Sequence, residues 1–432
     1  MGMDKERTWE NRIQAVGRFC FWLGLVLELF IMLVDTSAYT NPIEGQLFRV
    51  TFLLFALKVA CSKFTLKEWL CLAFFMVIAG LCYLFSARDE AVRLVVFCAA
   101  FKDMDVKRAL KLAFWMTLSG CLALAGLAAA GILGKMYIID AGERGLRYCF
   151  GLGHPNACYC LFWALSMLLI WLYHERMRLW HYAAIAAAGV LLYLPTRSRT
   201  GILILMFTLF LSVLLAYWKR VREGKLIYLA GILAFAGCVV LSVWIAYYEP
   251  YTGPFYPYDY LFTGRITSMN TLEGGGGMLR NWSLFSSPEN VKYFDLGYVR
   301  LFYWYGIIPG AVYVVMYALL MWECRRRKDA FGFMMLISIA LYTLVEAHFV
   351  SVFMGRNYAL FLMGSYWIGL VRRNVPEGRK TVGAKTSGTK TSGTKTSGMK
   401  TTGTKMAGAQ ADGGCQVRED YIWRGWRLLS RA

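Results

Sequence analysis

The chain has 432 residues, of which 58% are hydrophobic and only 17% are charged. Soluble globular proteins are nearer half apolar and a quarter charged, so the composition excludes a soluble enzyme and a protein with one membrane anchor. The apolar runs are continuous and do not alternate with polar residues, which also excludes a membrane β-barrel.

The net charge of +20 is spread in short basic clusters between the apolar runs and in the C-terminal tail. A basic surface that binds nucleic acid would instead be continuous, so we expect no nucleic-acid partner. Most of the twelve cysteines lie inside the apolar runs, and we interpret them as small buried hydrophobes rather than as a disulfide set.

Twelve apolar runs have about the length of a membrane-spanning helix. Lipid offers no partner for the backbone, so each run is predicted to be helical, and the predicted fold class is an all-α polytopic membrane protein with about 12 transmembrane helices. The first run follows four basic residues without a clear cleavage site, and we expect an uncleaved span. The predicted spans are residues 19–35, 47–62, 68–86, 88–101, 110–133, 155–173, 180–195, 200–218, 226–247, 299–321, 331–349 and 357–371.

The distribution of basic residues predicts the orientation. With the N-terminus in the cytoplasm, 34 of the 47 lysines and arginines fall inside. Cytoplasmic loops are enriched in these residues, so both termini are predicted to be cytoplasmic. Residues 1–371 then form a transmembrane domain.

Residues 372–432 form a basic low-complexity tail, in which six five-residue repeats of the K-T-S-G-T type begin at Lys380. A Gly-rich polar repeat cannot bury a core, so the tail is predicted to be disordered. A lysine every five residues also suits contact with anionic membrane lipid, and the alternative is a dispensable solvated tail.

The segment G-L-G-H-P-N stands at the predicted start of the sixth span. Pro155 at a first helical turn is ordinary helix punctuation. His154 is predicted to face outward, where it would hydrogen-bond a polar ligand, and Asn156 follows it. Both are candidate substrate-binding residues, and a structural role at the start of the helix is the alternative.

Arg197 and Arg199 lie in L-P-T-R-S-R-T-G, a short outer loop between the seventh and eighth spans. Guanidinium groups bind phosphate oxygens in a bidentate manner, so both are candidate phosphate ligands, with Arg199 favoured. The alternative is a pair of helix-end arginines that snorkel to the surface, although the outer face is the less usual side for such a pair.

A long outer loop, residues 248–298, contains Gly264-Arg265 and a run of four glycines that begins at Gly274. Its many aromatic residues argue against disorder and suit either sugar faces or the membrane interface. Arg265 is a candidate catalytic residue, and an ordinary surface arginine is the alternative. Asp295, just before the tenth span, is predicted to act as a base or as a helix N-cap.

His348 lies near Glu346 and Arg356 at the predicted outer ends of the last two spans, where the three either line one cavity or pair with each other. Glu28 stands in the middle of the first span, where we favour a structural hydrogen bond over a proton relay. The chain has no His, Cys and carboxylate set at zinc spacing, so we expect neither a catalytic metal nor a cofactor.

Together, the outer S-R-T-G loop, the G-R of the long loop and the G-I-I-P-G of the following helix resemble the O-antigen ligase and O-antigen polymerase superfamily, of the WaaL and Wzy type. The H-P-N resembles Gram-positive members of its polymerase branch. The resemblance covers about residues 145 to 365.

The resemblance implies that Arg199 and Arg265 hold the pyrophosphate of an undecaprenyl-linked glycan. Ligases of this superfamily carry His-Asn-x-Tyr-Leu where this chain has Asp295-Leu296-Gly297-Tyr298-Val299. The position of the ligase histidine is therefore taken by Asp295, while Tyr298 matches the motif tyrosine as a substrate-binding residue. This departure leaves Asp295, His154 and His348 as candidates for the general base. It also favours a polymerase over a ligase.

The expected function is polymerisation of undecaprenyl-pyrophosphate-linked repeat units at the outer face of a bacterial plasma membrane. Expected partners are the lipid-linked glycan, membrane lipids, and a chain-length regulator and flippase. One alternative is a ligase that moves finished glycan to a wall or lipid acceptor. The other is a flippase or transporter of lipid-linked sugar, which would carry polar groups along a path through the membrane.

Overall fold

The computed structural model describes residues 2–37, 39–140, 145–248, 253–262, 264–271, 277–347 and 350–371. The predicted tail, residues 372–432, lies outside the described residues. The described residues are mostly helical, at 75%. Its helices are α1 (Gly2–Thr36), α2 (Glu44–Ala60), α3 (Leu66–Ser86), α4 (Glu90–Ala100), α5 (Val106–Ala129), α6 (Pro155–Tyr173), α7 (Leu179–Thr196), α8 (Arg199–Tyr217), α9 (Lys219–Glu223), α10 (Lys225–Tyr247), α11 (Arg265–Thr271), α12 (Gly297–Tyr305), α13 (Ile307–Arg326), α14 (Ala330–Thr343) and α15 (Ala359–Val371).

Among the described residues, eight helices are long and apolar enough to cross a membrane. They are α1, α3, α5, α6, α7, α8, α10 and α13. Two further apolar helices, α14 and α15, are shorter. The architecture is therefore consistent with an all-α polytopic membrane protein, while the number of about 12 spans stays a prediction.

The predicted tenth span, residues 299–321, is two helices rather than one. The chain breaks at Gly306, whose φ of +98° is open to glycine but strained for other residues. The first amides of α13 then donate to the preceding loop, Ile307 N to Ser283 O at 2.9 Å and Ile308 N to Leu284 O at 3.0 Å. Apolar periodicity does not report this break, because both helices are apolar.

A two-stranded hairpin lies between α5 and α6. Strand β1 (Tyr137–Asp140) pairs antiparallel with β2 (Gly145–Tyr148), and Tyr137 is opposite Tyr148. Strand formation satisfies backbone groups that no helix satisfies here. This hairpin lies outside the predicted spans, so it is consistent with an all-α polytopic membrane protein.

One aromatic cluster joins α1, α2 and α4 in the core. The rings of Phe21, Phe55, Phe97 and Phe101 meet edge to face with centroids 4.9–6.0 Å apart. All four side chains are buried. Edge-to-face packing of this kind adds to the free energy gained from apolar burial.

Helix α6 lies against both α8 and α14. Trp163 of α6 donates to Thr208 Oγ1 of α8 at 3.0 Å, and its ring meets that of Tyr342, near the end of α14, at 5.0 Å. A Cβ atom at Gly201, near the start of α8, would lie 2.4 Å from Tyr159 Cδ1 in the first turns of α6, and Cys160 Sγ lies 2.9 Å from Tyr342 Oη. The starts of α6 and α8 and the end of α14 therefore lie at one face. We call this the loop face, because the hairpin and the α7–α8 turn also lie there.

Candidate active site at the loop face

Helix α11 presents Arg265, and Asp259 determines where that helix begins. Its carboxylate accepts hydrogen bonds from Ile266 N at 2.9 Å and from Thr267 N at 3.0 Å. These are first-turn amides that lack partners within the helix, so a carboxylate there stabilises the helix start. Gly264 turns the chain into the helix with a φ of +77°.

The Arg265 guanidinium lies between two carboxylates. Its Nη2 is 2.6 Å from Glu346 Oε1, its Nε is 3.4 Å from Asp295 Oδ2, and its Nη1 donates to Phe262 O at 3.3 Å. Arg265 is only 7% exposed, whereas the Asp295 side chain is 36% exposed. The structure thus brings together two of the predicted catalytic residues and adds Glu346 to them.

Glu346, in the segment after α14, has an altered acidity. Burial raises the pKa of its carboxyl above the usual range of glutamate, and the neighbouring Asp295 charge raises it further, while Arg265 acts in the opposite direction. A carboxyl group with a raised pKa exchanges a proton at a pH nearer neutrality, which general acid–base chemistry requires.

The N-terminus of α12 packs directly on the C-terminal end of α14. A Cβ atom at Gly297 would lie 2.6 Å from Thr343 O and 2.7 Å from Glu346 O, so only glycine allows this approach. Tyr298 is fully buried, and its hydroxyl donates to Ala340 O at 2.6 Å. The hydroxyl predicted to bind substrate is therefore engaged inside the protein.

Arg300 binds backbone carbonyls of the segment that follows Glu346. Its Nη2 donates to Val350 O at 3.0 Å and to Ala347 O at 3.5 Å. Its guanidinium lies over the rings of Tyr293 and Trp304, at 4.1 and 4.6 Å from their centroids. A buried cation with these contacts fixes the backbone that positions Glu346 against Arg265.

The second predicted cationic site is the turn between α7 and α8. Arg197 ends α7 in a left-handed conformation with a φ of +49°, and Ser198 is buried. Arg197 and Arg199 are both exposed. Among the described residues, no hydrogen bond or ion pair engages the Arg199 side chain, so its guanidinium is available to an anion.

The H-P-N segment begins α6. His154 Nδ1 accepts from Asn156 N at 3.2 Å and so caps the helix, which is the structural alternative for this motif. Asn156 Oδ1 accepts from Arg147 Nη2 at 2.9 Å, and Arg147 Nε donates to Thr196 O at 2.9 Å. Sequence reasoning missed Arg147, although it breaks the positive-inside bias just as Arg197 and Arg199 do.

The two cationic sites lie at the same face. Arg199 begins α8 and Glu346 follows α14, and these two helices pack side by side. The arrangement is a cluster of two carboxylates on one arginine, with a second, exposed arginine at the neighbouring helix end.

The remaining site predictions have other outcomes. His348 lies outside the described residues. Arg356 does not pair with Glu346 but binds Asp35 at 2.9 Å and Thr36 at 3.2 Å, which ties it to the end of α1. No group of three His, Cys, Asp or Glu side chains among the described residues is arranged to hold a metal ion.

Fold and site together define a polytopic helical membrane protein with a charged cluster at one face. Comparison with protein families, with characterised proteins and with solved structures finds no match.

Proposed function

We propose that the protein is a membrane glycosyltransferase that polymerises undecaprenyl-pyrophosphate-linked oligosaccharide repeat units. The observation that supports this best is the contact of Arg265 with Asp295 and Glu346 at the face that also carries Arg199. Transfer from a lipid pyrophosphate requires cations for the leaving group and a base for the acceptor. These side chains have the required chemistry.

In the proposed reaction, a hydroxyl oxygen of the acceptor sugar attacks the anomeric carbon of the donor. The new glycosidic C–O bond forms as the bond from that carbon to the pyrophosphate oxygen breaks. The proton of the hydroxyl passes to a carboxylate, and the bonding electrons leave with the lipid pyrophosphate. Asp295 is assigned to the proton because it is the more exposed of the two carboxylates.

Proton transfer and leaving-group stabilisation are coupled through Arg265. In the resting site its charge is shared with two carboxylates. When one carboxylate accepts the acceptor proton, it loses its charge and its hold on the guanidinium weakens. Arg265 can then pair with the departing pyrophosphate, together with Arg199. The same donor chemistry serves a ligase, which stays the alternative to a polymerase.

We place this activity at the outer face of a bacterial plasma membrane, with both termini cytoplasmic. A chain-length regulator and a flippase that delivers the repeat units are the proposed partners. Both substrates are lipid-linked, so they must approach the loop face from within the membrane. Helices that reach into the bilayer allow this approach.

A transporter is the second candidate, because one ion pair lies inside the helices. Arg93 Nη2 is 3.3 Å from Glu28 Oε1, and Thr51 Oγ1 donates to the same oxygen at 2.6 Å. The two charges pair with each other, and the Arg93 guanidinium lies over the ring of Phe48, 3.8 Å from its centroid. Self-paired charges hold helices together, whereas a transport path presents its charges to a cavity.

The test is Arg265→Ala in cells that depend on this protein for surface glycan. Chain extension should be lost, because the leaving group loses its buried cation. The protein should remain in the membrane at normal abundance. The matched control is Arg280→Ala, which removes an exposed arginine from the same loop and should preserve extension. Wild-type chain lengths in Arg265→Ala would overturn the assignment.

A further inference from the structure

Arg147 is a buried cation on a short strand of the loop face. It is 1% exposed. Burial of a guanidinium is costly unless its N–H groups find acceptors. Two acceptors come from distant parts of the chain, namely Thr196 O and Asn156 Oδ1, each at 2.9 Å.

The first acceptor, Thr196 O, lies at the C-terminal end of α7, the helix before the S-R-T turn. The last carbonyls of an α-helix have no partner within it, and a cation there is also favoured by the helix dipole. Thr196 is the last residue of α7, and Arg199 begins α8 only three positions later. The direction in which Arg199 projects therefore depends on where the end of α7 is held.

The second acceptor lies in the first turn of α6. Asn156 follows the His154 cap, and its side chain faces Arg147. A planar guanidinium forms two bonds in fixed relative directions, so it transmits the position of one acceptor to the other. Arg147 thus joins the H-P-N segment to the S-R-T turn, although the two are far apart in the sequence.

We propose that Arg147 is a positioning residue that sets how the α7–α8 turn presents Arg199, and that Asn156 acts through Arg147. The role of Arg199 in this inference rests on the proposed function. The claim that Arg147 fixes the α7–α8 turn does not rest on it. Arg147 itself does not contact the reacting groups.

Hydrogen–deuterium exchange of the purified full-length protein tests the hold on the turn. In Arg147→Gln, the amides of residues 196–202 should exchange faster, on the order of tenfold, because charge-assisted bonds to the turn are lost. Arg147→Lys should show a smaller rise, since lysine keeps the charge without the two fixed donor directions. If Arg147→Gln does not fold, Asn156→Ala is the milder variant to measure. It should also raise exchange in this region.

The matched control is Arg356→Gln, which removes another helix-linking arginine, one that binds Asp35 and Thr36. It should leave exchange of residues 196–202 unchanged. Unchanged exchange there in a folded Arg147→Gln, or an equal rise in the control, would overturn the inference.

Kinetics test the consequence for Arg199. Arg147→Gln should lower kcat for chain extension on the order of tenfold and alter KM for the repeat unit much less. In an Arg199→Lys background it should cause no further loss, because the two changes act on one interaction. An independent further loss would overturn the link to Arg199. If the wild-type protein extends no glycan while the exchange result holds, the proposed function fails and the hold on the turn stands.

Discussion

Arg265 is held by two acidic side chains of different accessibility. Glu346 is bound at 2.6 Å and nearly buried, whereas Asp295 is at 3.4 Å and partly open to solvent. The buried contact fixes the direction of the guanidinium, and the looser contact leaves a carboxylate that substrate can reach. One arginine is thereby both oriented and able to exchange partners.

The raised pKa of Glu346 predicts how stability responds to pH. The native state holds the Glu346 proton more tightly than the unfolded chain does, so this group's stabilising effect is complete at low pH. It is lost as pH rises from the usual glutamate range through the raised value. Glu346→Gln mimics the protonated form, so its melting temperature should exceed that of the wild type by a margin that grows with pH.

Thermal unfolding of both purified proteins between pH 5 and pH 8 measures that margin. A margin of a few degrees at the upper end, and close to none at the lower end, is expected. A margin that shrinks with rising pH would contradict the acidity assigned to Glu346.

The sequence singles out residues of the candidate site but does not indicate which of them lie in contact. Arg265 and Asp295 were singled out because a charged group near lipid is costly, and the structure places them in contact. That contact joins residues from opposite ends of a long loop, which spacing does not report. The sequence groups Glu346 with His348 and Arg356 rather than with Arg265, and it does not single out Arg147 because a strand of four residues gives almost no periodic signal.

At the scale of single elements, the break between α12 and α13 is the feature that most shapes the site. Gly306 lets the helix direction change, so that α12 can pack on the end of α14 and bring Asp295 toward Arg265. A side chain there has no room, since an added Cβ would lie 2.6 Å from Leu284 O and from Phe285 Cα.

Gly306→Ala should therefore destabilise the protein, by about 1–3 kcal/mol from backbone strain alone. Gly80→Ala is the matched control, because Gly80 lies within α3 and its added Cβ would meet no described atom within 4 Å beyond its chain neighbours and the backbone of its own helix. That change should be neutral or stabilising, by up to about 1 kcal/mol. Melting temperatures of the two variants give the comparison, and equal values would contradict the strain assigned to Gly306.

Elements differed in how well sequence predicted them. Long apolar runs such as residues 200–218 correspond closely to helices, here α8, because lipid and a continuous apolar surface leave the backbone one solution. The hairpin and the Gly306 break depend on contacts with distant loop segments. Those contacts are tertiary, so local composition does not reveal them.

For the whole molecule, charge predicts an orientation that places the loop face outside. The basic clusters of the opposite helix ends, such as residues 325–328, would then lie in the cytoplasm. The proposed chemistry requires this orientation, because the repeat units are to be joined at the outer face.

Reporter insertions test the orientation. A reporter active only outside should work when inserted at residues 131–134 and fail when inserted at residues 61–64, and a cytoplasmic reporter should show the reverse. The reverse pattern for both reporters would place the site in the cytoplasm and contradict the proposed reaction.

The central claim is tested most directly by the size profile of glycans in a strain that lacks the gene, measured both on undecaprenyl pyrophosphate and on the cell surface. The account predicts single repeat units that accumulate outside on the lipid, with no long chains. Long chains stranded on the lipid would indicate a ligase, and units trapped at the inner face would indicate a flippase. Either of these results would contradict the assignment of a polymerase.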